Sequence, residues 1–122
     1  MLLSRTPIWI KKRLALICAG LNYQIGKHRM SAKVARKFVI KGEVQGVGYR
    51  FFAQRAAAQH QVVGYVRNML DGSVESLVEG PLSEVEAFKN DLATGPRFAR
   101  VEQVEERVLE PTGLYSSFRI ER

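Results

Sequence analysis

A chain of 122 residues holds one domain with a real core and is too short for two comfortable ones. Its net charge of +7 would suggest nucleic acid or an anionic membrane as partner, but residues 1–32 carry six basic side chains and no acid, which leaves +1 on residues 33–122. One cysteine (Cys18) and two histidines (His28 and His60) exclude an intramolecular disulfide and a zinc site of recognisable spacing, and no apolar run approaches the roughly 20 residues of a membrane span.

Residues 1–32 stand apart from the rest. A basic KKR followed by LALICAG has the order of a targeting signal, but the apolar run is at the short limit and no A-x-A site follows. Trp9 and Leu14 set against the lysines also allow a membrane-surface helix. The plainer expectation is a disordered leader, or upstream sequence read in from an early start, since Met30 opens MSAKVARKFVI as a natural beginning. The expected division is a basic extension over 1–32 and a domain over 33–122.

Along the domain, RKFVIKGEV alternates, with Phe38 and Ile40 on one face and Lys37 and Lys41 on the other, which predicts a strand. After a glycine-rich loop, YRFFAQRAAAQHQ carries Phe52, Ala53, Ala56 and Ala57 at helical spacing, and His60 ends that stripe as a structural rather than catalytic histidine. VGYVRNM resumes strand character, LDG turns the chain, and SVESLVEG returns, with Val74 and Val78 facing one way and Glu75 and Glu79 the other. Ser83 and Glu86 match a capping box for a second helix, which buries Val85, Phe88 and Leu92 and stops at Gly95-Pro96. ARVEQVEERVL predicts a long strand, EPTGLYS a turn-rich connection, and SFRIE a last strand with Phe118 and Ile120 inward. The order is β-α-β-β-α-β with a short added strand. It predicts an α+β, ferredoxin-like sandwich, with two helices on one face of a mainly antiparallel sheet.

The loop GEVQGVGYR raises the first chemical question. Glycines reach torsions that let successive N–H groups point the same way, and such a nest binds anions at the positive end of the following helix. Arg50 stands at that helix entrance, where its charge is unfavourable unless an anion is there to meet it. The loop alone leaves two readings open, a plain turn or an anion cradle. It lacks the G-K-[ST] of a Walker loop and the spacing of a dinucleotide fingerprint. Asn68 is a second odd residue, since asparagine suits strands poorly. By itself it reads first as a turn former, and second as an amide able to place a water. With the first strand and the strand after helix 1 expected side by side, Asn68 should lie close to the loop and Arg50.

Taken together, VIKGEVQGVGYRFF and GYVRNMLDGSVESLVEG closely resemble the two signature motifs of acylphosphatases, and the likeness runs on through GPRFARVEQVEE to SFRIER. The resemblance covers about residues 34–122 and implies a ferredoxin-like enzyme that hydrolyses the carboxyl-phosphate bond of acyl phosphates without metal or cofactor. It also implies that Arg50 and the backbone N–H groups of Gln45, Gly46, Val47, Gly48, Tyr49 and Arg50 hold the phosphoryl group, and that Asn68 orients the attacking water. Tyr49 stands where many members have phenylalanine, a difference expected to matter little. The leader departs from the compact family pattern.

The inventory suits that chemistry. A carboxylate leaving group, whose acid has a pKa of about 4, needs no general acid, so fixed donors and a placed water suffice. Two alternatives remain: a relative that hydrolyses carbamoyl phosphate, as in the domain of the hydrogenase-maturation carbamoyltransferase, and a non-catalytic anion-binding module. The first sits in a much longer chain, whereas this one ends after its last strand. For the second, the near-neutral domain without an aromatic platform speaks against RNA. The expected partner is a small acyl phosphate, with no nucleic acid and no membrane for the domain. A cytoplasmic monomer is expected.

Overall fold

In the computed structural model, which describes residues 33–122, the alternation around Phe38 and Ile40 becomes β1 (Lys33–Glu43). The readings made for residues 1–32 lie outside the described residues. The chain continues through α1 (Tyr49–His60), β2 (Val63–Asn68), β3 (Val74–Pro81), α2 (Leu82–Thr94), β4 (Arg100–Leu109) and β5 (Phe118–Glu121). The five strands form one sheet in the order β4-β1-β3-β2-β5. All neighbours are antiparallel except β2 and β5, which run parallel. This is the expected ferredoxin-like arrangement with its short added strand.

One expectation about that sheet is corrected. β1 and β2 are not neighbours, because β3 lies between them and pairs with both. The β2–β3 hairpin folds β3 back beside β2, and β3 takes the place next to β1 that α1 has carried the chain across. Asn68 and Ile40 nonetheless face the same residue, Val74, from its two sides.

The core fills the space between one sheet face and the two helices. Phe38, Ile40, Val66, Val74 and Val78 from the sheet meet Ala53, Ala56 and Ala57 of α1 and Val85, Phe88 and Leu92 of α2. Small alanines let α1 settle close to the strands, while Phe88 meets Phe118 edge-on at 5.5 Å between ring centres. At the end of α1, His60 lies 3.3 Å from Glu84 through Nδ1 and 2.7 Å from Asp91 through Nε2, so it ties α1 to α2.

Two local expectations fail for physical reasons. Ser83 does not cap α2: the strand runs through Pro81 straight into the helix, Pro81 occupies the cap position with φ −62°, and Ser83 falls inside the first turn. Glu75 and Glu79 face away from the helices as expected, yet both are buried, because β3 is the central strand. Lys37 and Arg67 flank Glu75 at 3.3 and 2.7 Å. Glu79 accepts bonds from the Thr112 N–H and hydroxyl at 2.9 Å and from the Gly113 N–H at 3.0 Å. The turn-rich connection after β4 is thereby pinned to the sheet. Among the described residues, no helix is long and apolar enough to cross a membrane.

Candidate active site

Strand direction decides which loops can share a site. The C-terminal ends of β1, β2 and β5 and the N-terminal ends of β3 and β4 lie at one end of the sheet, as the pairs Glu43–Arg100, Asn68–Val74 and Arg67–Glu121 show. That end therefore gathers the loop after β1, the start of α1, the β2–β3 turn and the last residues of the chain. Every residue singled out in the sequence for phosphate chemistry falls there.

The loop from Val44 to Gly48 delivers the chain from β1 to α1. Gly46 and Gly48 have φ of 76° and 79°, the left-handed region that other residues enter at a cost of roughly 1–2 kcal/mol each. A Cβ on either would meet nothing within 4 Å, so their torsions, not their size, are what the loop uses. Among the described residues, the N–H groups of Gln45 to Arg50 find no backbone or side-chain acceptor. Gly48 caps α1 without a side chain, so the helix presents bare donors and the positive end of its dipole. The result is a cradle suited to an anion.

Arg50 is the second residue of α1, and its Nη1 donates to the carbonyl of Glu121 at 3.2 Å. Glu121 pairs in register with Arg67, the residue before Asn68. The guanidinium is thereby held at the end of β5, and among the described residues its other donors have no hydrogen-bond partner.

Asn68 ends β2, and its Oδ1 is buried without a hydrogen-bond partner among the described residues. A buried amide oxygen left alone costs roughly 1–3 kcal/mol, so its retention asks for a partner beyond the described residues, such as a water. A turn-forming asparagine would have spent that oxygen on the turn. Here the turn is closed by others: Met69 N–H donates to Ser73 O at 2.8 Å, and the Asp71 carboxylate accepts from the Ser73 hydroxyl at 2.6 Å.

Gln45 shows what the sequence did not reveal. Its side-chain amide donates to the carbonyls of Met69 and Ser73, both at 2.8 Å, and so staples the cradle to the turn that follows Asn68. No local pattern announces contacts to residues 24 and 28 positions away. Tyr49 is a second case. Its ring is buried and its hydroxyl donates to the carbonyl of Leu92 at 2.6 Å, anchoring the first turn of α1 to the end of α2. Burial pushes the Tyr49 hydroxyl far above its ordinary pKa, so it remains a donor at any working pH. The sequence expectation that tyrosine in place of phenylalanine matters little did not foresee this bond, which a phenylalanine could not make.

Comparison with known proteins adds the decisive observation. The sequence model of the acylphosphatase family matches residues 36–120, which is most of the chain. The chain belongs to the acylphosphatase family. An acylphosphatase from Solibacter usitatus is 45% identical over 96 residues, covering 79% of this chain and 99% of that protein. The crystal structure of acylphosphatase from Bacillus subtilis superposes with a TM-score of 0.71 at 30% identity, over 73% of this chain and 99% of that one. HypF from T. kodakarensis gives a TM-score of 0.65 at 36% identity, but the match covers 73% of this chain and only 12% of HypF. Acylphosphatases of this chain's own scale are thus matched almost end to end, and HypF over a small part.

Proposed function

We propose that the cradle of Gln45 to Arg50 holds the phosphoryl group of an acyl phosphate while Asn68 places the water that attacks it. The chain is an enzyme that hydrolyses acyl phosphates to a carboxylate and inorganic phosphate. The observation that carries the assignment of roles is the buried Oδ1 of Asn68, without a partner among the described residues, at the end of the sheet that also holds the bare amides and Arg50. An oxygen so placed accepts a hydrogen bond from water and turns a lone pair of that water toward phosphorus, and the proton the water gives up ends on the phosphate product.

The chemistry asks little beyond this. In phosphoryl transfer, negative charge spreads over the three equatorial oxygens, and catalysis consists of positioning and electrostatic stabilisation. Amide donors fixed by the αL glycines, the helix dipole and the Arg50 fork supply that charge complementarity without reorganising. The leaving carboxylate departs without needing a proton. No step calls for a metal, and a cytoplasmic, monomeric enzyme fits the near-neutral domain and single cysteine.

Benzoyl phosphate turnover, followed in EDTA, tests the reading. Asn68→Ala is expected to reduce kcat by at least about 10²-fold, the scale of one lost transition-state hydrogen bond, while inhibition by inorganic phosphate stays within a few-fold. A variant that keeps near-normal kcat sinks the water-placing role, and loss of wild-type activity in EDTA sinks the metal-free mechanism. A module that only binds anions would show phosphate binding without turnover.

A further inference from the structure

We infer that Phe51 contacts the acyl group of the substrate, so that the enzyme favours aromatic acyl phosphates over acetyl phosphate. The inference rests on the placement of the phosphoryl group and water given above. In an in-line displacement the attacking and leaving oxygens lie on opposite sides of phosphorus. Asn68 belongs to the sheet layer, and Arg50 with the cradle amides surrounds the equatorial oxygens. The acyl oxygen must therefore leave away from the sheet, past the first turn of α1.

Helix geometry directs Phe51 toward that exit. Tyr49, Ala53, Ala56 and Ala57 define the inward face of α1, and Phe51, two residues beyond Tyr49, points about 200° away from it, to solvent. Side chains on a helix lean toward its N-terminus, so a first-turn side chain overhangs the mouth of the cradle. Phe51 is 67% exposed and thus has an aromatic face free to cover.

Isolated exposed apolar residues are ordinary, so the alternatives need a reason for their exclusion. Leu82, Val108 and Leu114 are exposed too, but Val108 lies in the far end of β4, and Leu82 and Leu114 follow the far ends of β3 and β4. Leu70 and Phe98 lie at the cradle end, each on the wrong side. Leu70 follows Asn68 in the β2–β3 turn, on the side of the water. Phe98 precedes β4, on the far flank of β1 from Asn68. Both serve as controls.

The experiment compares benzoyl and acetyl phosphate with the full chain and with Phe51→Ala, Phe51→Tyr, Leu70→Ala and Phe98→Ala. For Phe51→Ala, kcat/KM for benzoyl phosphate is expected to fall about five- to tenfold through KM, the scale of one aromatic contact at a half-open site. Acetyl phosphate turnover and phosphate inhibition should stay within twofold, Phe51→Tyr should keep the preference, and the two controls should leave the benzoyl-to-acetyl ratio unchanged. An unchanged ratio in Phe51→Ala, or an equal fall in Leu70→Ala, overturns the inference. The catalytic reading fails on a separate measurement, acetyl phosphate turnover that survives Asn68→Ala.

Discussion

Replacing Tyr49 by phenylalanine isolates one hydrogen bond whose worth can be worked out from the chain itself. The carbonyl of Leu92 lies near the end of α2, where its ordinary helical partner would be the N–H four residues on. That residue is Pro96, which has no N–H. Gly95 closes the preceding bond to Asp91 at 2.9 Å, so the helix leaves the Leu92 carbonyl to the Tyr49 hydroxyl at 2.6 Å. Tyr49 is 1% exposed, which keeps water from replacing the lost hydroxyl. Removing one partner while the other stays buried costs about 1–3 kcal/mol. A central value of about 1.5 kcal/mol lowers Tm by roughly 6–12 °C in a domain of this size. Urea and thermal unfolding of the two proteins measure it, with kcat expected within about threefold of wild type because Phe keeps the packing. A difference below about 0.5 kcal/mol would refute the reasoning, and would mean that the carbonyl finds another donor.

Three other outcomes follow from the same structure. Arg50→Lys keeps the charge but not the fork that reaches both Glu121 and an anion, so kcat/KM should fall on the order of 10²-fold or more, with weaker phosphate inhibition. The proposed mechanism uses no side chain as general acid or base, so kcat should be nearly flat between pH about 5 and 8; a sharp bell near neutrality would point to a histidine or carboxylate in the mechanism. Burial would raise the Glu79 carboxyl, but the bonds from Thr112 and Gly113 outweigh it and hold the pKa below the ordinary value. Its stabilising effect is therefore present above the unfolded pKa of about 4.3 and is lost as pH falls through the lower folded one. Glu79→Gln should accordingly cost about 1–3 kcal/mol at pH 7, with a gap in urea midpoint that closes in acid; a gap independent of pH would contradict this account.

The sequence made the elements legible because each depends on nearby residues, whereas the roles proposed for Arg50 and Asn68 come from the resemblance to acylphosphatases, since Asn68 by itself reads first as a turn former. Period-two alternation marked the strands, and glycines at the β1–α1 junction announced torsions that only they adopt easily. Strand order was not legible in the same way, since alternation says which face a residue takes but not which strand lies beside it. The expected neighbourhood of β1 and β2 failed for that reason, although Asn68 still falls at the cradle end. Glu75 and Glu79 look like surface residues until their strand is known to be central. Ser83 and Glu86 match a cap by spacing, but the strand runs through Pro81 and the helix starts too early for it. Gln45 and Tyr49 act through partners more than twenty residues away, beyond the reach of any local pattern.

The two bonds from Gln45 carry a consequence for how a substrate is met. They join the cradle to the β2–β3 turn through contacts within the chain alone, which couples the amides to the turn that follows Asn68. The ordering entropy of the loop is then lost during folding rather than at capture. Inorganic phosphate should accordingly slow hydrogen exchange only at the amides that touch it, with the rest of the backbone unchanged, as for a seat already set.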